Sequence, residues 1–164
     1  MLLGKLLAEG ALREGREVTY LPAYGAEVRG GTAYCMVVIS DSAIGSPYIE
    51  KADTMVIMNA PSFHKFKERG TRTGVWLVNS SMVEPRNGLP ARFRFFPFTA
   101  KAVELGNVKV ANVVALGSLL AVRKILSPST MRAVIEESAP RDKKDLVAVN
   151  LEALRAGMEL VNNG

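Results

Sequence analysis

The residues best suited to chemistry lie in one short connection, Tyr24-Gly25-Ala26-Glu27-Val28-Arg29-Gly30-Gly31-Thr32, which packs a carboxylate, a guanidinium and three glycines together. Gly30-Gly31 lets the backbone approach another surface closely and expose its amides. Arg29 offers a forked donor to a carboxylate or phosphate, and Glu27 is placed to orient it. The chemistry of such a set is anion binding; nothing in it performs acid–base catalysis. By themselves the same residues also suit a glycine-rich turn with a surface ion pair.

The remaining reactive side chains are few. His64 is the only histidine and no Gly-x-Ser-x-Gly elbow exists, so a Ser-His-Asp device has no support. Cys35 sits between apolar neighbours, where a thiol is usually packing. One cysteine and one histidine exclude an intramolecular disulfide and multi-Cys or multi-His zinc sites within one chain. There is no Walker A and no complete Gly-x-Gly-x-x-Gly, and Gly70-Thr71-Arg72-Thr73-Gly74 reads as a turn. The basic cluster from His64 to Arg72 reads as a helix end, where cations complement the carbonyl dipole.

Positioning these residues requires an alternation of strands and helices. Leu2, Leu3, Leu6, Leu7 and Leu12 form a helical stripe from Met1 toward Gly15, without an N-cap residue before it. Glu17 to Leu21 alternates as a strand broken by Pro22, and the nearly continuous apolar run Thr32 to Ser40 predicts a central strand covered on both faces. Asp53–Asn59 and Gly74–Asn79 repeat a short apolar run ending in Asn. Between them Pro61 to Arg69 suits a helix, which predicts a parallel crossover. Arg92 to Phe98 alternates as a strand with one wetter face, and the C-terminal half then turns mainly helical. Thr99 is the predicted cap of a helix Ala100–Leu105 closed by Gly106, Val108–Ile125 a buried helix, and Ser127-Pro128 the start of another. The last helix carries one stripe of Val147, Leu151, Leu154, Met158 and Val161.

This order predicts an α/β fold: a three-layer α/β/α sandwich around an open, mostly parallel, Rossmann-like sheet, with ligands beyond the carboxyl ends of the strands. The 164 residues suit one domain, 1–164, able to bury a core without staples. A net charge of +5 is a modest excess, and the basic residues are not interleaved with stacking aromatics, so nucleic acid is not an expected partner. No apolar run approaches a membrane span, so no membrane partner is expected and the chain reads as a cytoplasmic protein.

Tyr24-Gly25-Ala26-Glu27-Val28-Arg29-Gly30-Gly31-Thr32-Ala33-Tyr34-Cys35 closely resembles the signature Tyr-Gly-Pro-Glu-Met-Arg-Gly-Gly-Thr-Ala-Asn-Cys of the gamma subunit, or gamma domain, of 2-oxoacid:ferredoxin oxidoreductases. The likeness continues through Val38-Ile39-Ser40-Asp41, Ile44-Gly45-Ser46-Pro47, Met58-Asn59-Ala60-Pro61-Ser62, Val78-Asn79-Ser80-Ser81, Leu105-Gly106-Asn107 and Asn150 to Gly157. Ala26 stands where that family usually has Pro, and Tyr34 where it often has Asn. Family members normally open with a strand and a glycine-rich turn, and this sequence begins at the following helix.

The resemblance implies a non-catalytic subunit of an enzyme that decarboxylates a 2-oxoacid such as pyruvate or 2-oxoglutarate to an acyl-CoA while reducing ferredoxin. It implies thiamine diphosphate, Mg and iron–sulfur clusters in partner alpha, beta and ferredoxin-like delta subunits, with homodimer contacts as a further expectation. This chain then holds no cofactor alone, assembles the complex and helps position coenzyme A as co-substrate. The residues expected to bind it are Gly25, Glu27, Arg29, Gly30, Gly31, Thr32, Asn59 and Asn79. A free-standing nucleotide- or anion-binding module is the alternative.

Overall fold

A computed structural model of the chain describes residues 1–24, 32–85, 87–138 and 144–162. Helix α1 (Leu2–Arg13) leads into strand β1 (Glu17–Ala23), which pairs antiparallel with β2 (Tyr34–Ser40). Strand β3 (Ala52–Ile57), helix α2 (Ala60–Phe66) and β4 (Gly70–Asn79) form the expected parallel crossover. β5 (Phe93–Phe96) adds to β4 in the same sense, giving the sheet order β3-β4-β5. Helix α3 (Phe98–Glu104), a 3-10 turn at Val108–Val110, α4 (Ala111–Arg123), α5 (Pro128–Ser138) and α6 (Lys144–Asn162) complete the chain.

Two cores lie on opposite faces of the parallel sheet. Val56, Val75 and Leu77 join Leu6, Leu7 and the buried length of α4 on one face, together with Val18, Val37 and Ile39 of the antiparallel pair. Ile57, Trp76 and Val78 meet Phe63 of α2 and Val83 on the other. Helices thus cover both faces of a mixed sheet system, as the alternating sequence pattern required.

The position of the ends follows from two polar contacts. Arg123 at the end of α4 pairs with Asp53 at the start of β3, 3.7 Å away. The Ser127 N–H beyond α4 donates to Glu14 at the end of α1 at 2.8 Å. Both helices therefore finish at the amino edge of the parallel sheet. β1 leaves that edge in the same sense as β3 and reaches Ala23 and Tyr24 on the carboxyl side, and β2 returns from there.

Several expectations are corrected. β2 is not a central strand: among the described residues it pairs with β1 alone, and every one of its residues is half-buried. Its apolar run serves one covering helix, α1, whose Gly4 would bring a Cβ against Cys35 Sγ and within 3.3 Å of Val37. Pro22 does not break β1; it lies within the strand opposite Cys35, where the missing N–H is tolerated at an edge. The Gly70–Gly74 stretch is strand rather than turn. Both glycines lie against the Trp76 indole, which leaves no space for a Cβ at either position, and the register against β3 shifts by three residues between them. Thr99 does not cap α3, which starts one residue earlier at Phe98.

The stripe of α6 is also used differently. The residues it buries deepest are Ala153, Leu154 and Ala156, with Gly157 beside them, while Leu151 and Met158 are only half-buried. A Cβ on Gly157 would collide with the main-chain oxygen of Val114, and one on Gly117 with that of Leu154. The buried Ser118 hydroxyl donates to Gly157 O at 2.6 Å across this close crossing. Gly157→Ala therefore forces the helices apart. We expect a loss of about 1–3 kcal/mol or more, read by chemical denaturation.

The Ser127 N–H holds the Glu14 carboxyl below the usual carboxylate range, with the Thr130 hydroxyl adding to the effect. A lowered carboxyl contributes stability above its unfolded-state value and loses it as pH falls through its folded-state value. Glu14→Ala should lower Tm at neutral pH, and the difference from the parent chain should vanish in acid, below the ordinary carboxylate range.

Candidate functional site

The carboxyl ends of β3 and β4 are organised by two asparagines. Asn59 follows β3 and caps α2, its Oδ1 accepting the Ser62 N–H at 3.0 Å, with Pro61 in the first turn. Asn79 ends β4 and is 1% exposed. Its Nδ2 donates to Met58 O at 3.1 Å and to Thr99 Oγ1 at 2.8 Å. Its Oδ1 accepts the N–H groups of Ser81 and Thr99, each at 3.3 Å. The amide is thereby spent within the chain, and one side chain joins the ends of β3 and β4 to the start of α3. Thr99, expected as a cap, supplies two of those four bonds.

Thr32 is half-buried at the described start of the segment leading into β2. Its hydroxyl accepts a 2.6 Å hydrogen bond from Lys65 Nζ, which ties this segment to α2. The Tyr34 and Phe66 rings pack beside that bond with centroids 4.8 Å apart, and the ammonium lies 5.7 Å and 5.4 Å from them. Lys65 thus does more than complement a helix dipole. Its position next to Phe66 in a basic run was visible in the sequence, yet only the packing of α2 against β2 gives it a polar partner 33 residues away.

Of the predicted site residues, the structure places Thr32, Asn59 and Asn79 on the carboxyl side of the strands. Gly25, Glu27, Arg29, Gly30 and Gly31 lie outside the described residues, as does the expected Glu27–Arg29 pair. His64 is exposed beside Phe63, and Cys35 is half-buried under α1. Among the described residues no group of three or more His, Cys, Asp or Glu side chains is arranged to hold a metal. None of the described helices is long and apolar enough to cross a membrane. Lys65 stands in the last turn of α2 and Asn59 caps the first, so the ammonium–hydroxyl pair and the cap lie at the two ends of one short helix.

Residues 1–160 match the family model described as pyruvate ferredoxin/flavodoxin oxidoreductase. The chain belongs to this family. It is 34% identical over 158 residues to the ketoisovalerate oxidoreductase subunit VorA of Methanothermobacter thermautotrophicus, covering 96% of this chain and 33% of that one. It is 32% identical over 154 residues to the 2-oxoglutarate synthase subunit KorC of Methanocaldococcus jannaschii, covering 90% and 82%. The chain thus spans about a third of the length of the VorA relatives and most of the KorC one.

Among solved structures, the gamma subunit of a keto/oxoacid ferredoxin oxidoreductase from Geobacter sulfurreducens superposes with a TM-score of 0.83 at 25% identity, covering 99% of this chain and 91% of that one. A 2-oxoglutarate:ferredoxin oxidoreductase from Magnetococcus marinus, solved with 2-oxoglutarate, coenzyme A and succinyl-CoA bound, shares the fold with a TM-score of 0.87 at 21% identity, covering 100% of this chain and 29% of that one. For this family member the superpositions agree with the layered arrangement described above.

Removal of the Asn79 amide should be costly, because buried donors left without acceptors lose about 1–3 kcal/mol each. Asn79→Ala should lower Tm by about 6 °C or more. Amide hydrogen exchange should rise at Ser81 and Thr99 before the α4–α6 crossing is affected.

Proposed function

We propose that the chain is the gamma component of a 2-oxoacid:ferredoxin oxidoreductase and that it assembles the complex and positions coenzyme A for acyl transfer. The reading rests on the family match together with the Lys65–Thr32 contact, which sets an ammonium on the last residue of the sequence segment 24–32. In it, the amides of Gly25, Gly30 and Gly31, the Arg29 fork oriented by Glu27, the Thr32 hydroxyl and Asn59 receive the diphosphate of coenzyme A. A doubly charged, oxygen-rich group is what such donors recognise. Asn79, whose hydrogen-bonding capacity is used internally, acts as a positioning residue by fixing the strand ends. Decarboxylation and electron transfer belong to alpha, beta and delta partners carrying thiamine diphosphate, Mg and iron–sulfur clusters, and the complex works in the cytoplasm. The 1–164 unit acts as one gamma domain.

Amide chemical-shift mapping with coenzyme A tests the binding part of this reading. Perturbations should cluster at residues 24–32, Asn59 and Lys65, and pantetheine, which lacks the phosphates, should produce far smaller ones. Shifts confined to α6 would overturn the assignment. Assembly is tested separately: co-expressed with alpha and beta partners, Arg29→Ala should reduce the yield of complex while moving the Tm of the free chain little, since exposed pairs contribute only about 0–1 kcal/mol.

A further inference from the structure

Of the sixteen lysine and arginine side chains described, six are ion-paired and ten are not; Lys51, Arg94, Lys109, Lys124 and Arg132 are unpaired elsewhere, and the other five follow one another from α2 to β5. Lys5, Arg13, Arg16, Lys101, Arg123 and Arg155 are each held by a carboxylate. Lys65, Lys67, Arg69, Arg72 and Arg92 have no such partner among the described residues, and Glu68 is the only carboxylate in the sequence between Asn59 and Val83. These five lie along the end of α2, the irregular start of β4 and the entry to β5. Their neighbours are rings: Arg69 Cζ is 5.8 Å from the Phe66 centroid, and Arg92 Cζ is 5.0 Å from that of Trp76 and 5.4 Å from that of Phe93. A guanidinium laid on a ring face uses its flat side there and keeps its in-plane N–H groups for a carboxylate.

A second observation lies directly beneath that patch. Thr71 Oγ1, Trp76 Nε1 and Arg92 Nε are buried without a hydrogen-bond partner, although Trp76 is 1% exposed. Gly74 joins them: a Cβ there would stand 3.1 Å from Thr71 Oγ1 and 2.8 Å from the Trp76 ring. All three atoms are closed to solvent, so they lie beneath the cationic patch and are not part of its contact surface.

We infer that this surface docks a carboxylate-rich segment of a partner protein. Single-stranded nucleic acid is the poorer fit. The rings are packed on one another, Phe63 on Phe93 at 5.7 Å and Trp76 on Phe93 at 5.2 Å, and their remaining faces carry the cations, so no platform is left for bases. Polar, unpaired charge at an interface favours fast, salt-sensitive association over permanent burial.

Fluorescence anisotropy with labelled poly-L-glutamate and this 164-residue chain tests the inference, with circular dichroism confirming that each variant is folded. The triple variant Lys67→Glu/Arg69→Glu/Arg72→Glu should weaken binding at least about tenfold, and added salt should weaken the parent chain similarly. The triple variant Lys109→Glu/Lys124→Glu/Arg132→Glu changes the net charge equally elsewhere and should cost less than about twofold. Arg92→Lys keeps the charge, loses the fork and should weaken binding measurably. Equal losses in the two triple variants would reduce the effect to net charge and overturn the proposal. So would tighter binding of oligothymidylate than of poly-L-glutamate by the parent chain.

Discussion

A single buried amide determines where the working edge of this molecule lies. Asn79 ends the central strand of the parallel sheet, and four hydrogen bonds from its side chain bind the tail of β3, the turn after β4 and the first turn of α3. Without it the part-buried Met58 carbonyl and the Ser81 and Thr99 N–H groups would lose their partner. The cap at Asn59 is set by the same clamp, since Met58 O, one residue earlier, accepts from Asn79. The start of α2, and through α2 the reach of Lys65 to Thr32, inherits its position from this point.

The opposite side of the fold depends on the absence of side chains. α4 and α6 approach until main-chain atoms are in contact, which Gly117 and Gly157 permit and Ser118 fastens. That closeness brings Ala153, Leu154 and Ala156 into the core and pushes Leu151 and Met158 outward, where with Pro128 and Ala148 they line a groove of about 380 Å³ between α5 and α6. Periodicity alone ranks residues by apolarity, so it places the large side chains inward. Helix separation decides the matter, and separation is a tertiary property.

Much of the architecture was legible because the period of the apolar residues changes clearly from strand to helix, and because Pro61 and Gly106 mark ends by chemistry that does not depend on context. The parallel crossover of β3, α2 and β4 followed from length and order alone. The failures share a cause. Gly70 and Gly74 signal a turn locally but are required by the Trp76 ring that lies over them. Pro22 signals a break, yet a strand with one partner among the described residues tolerates it. The run of β2 looked doubly covered because half-burial under one helix selects the same residue types. At the site, the anion-ready composition of the connection after Tyr24 was plain. The Lys65–Thr32 contact was not, since no local rule links residues on α2 to the entry of β2.

Pro22 has one more effect, on the behaviour of the sheet in a crowded solution. An extended strand with free N–H and C=O groups invites the edge of another molecule, and a proline interrupts the ladder that such an encounter would build. With Pro22 opposite Cys35, β1 offers a passing chain a register that stops partway. Among the described residues the outer side of β1 has no partner, so stacking of one molecule on the next through β1 is interrupted at Pro22.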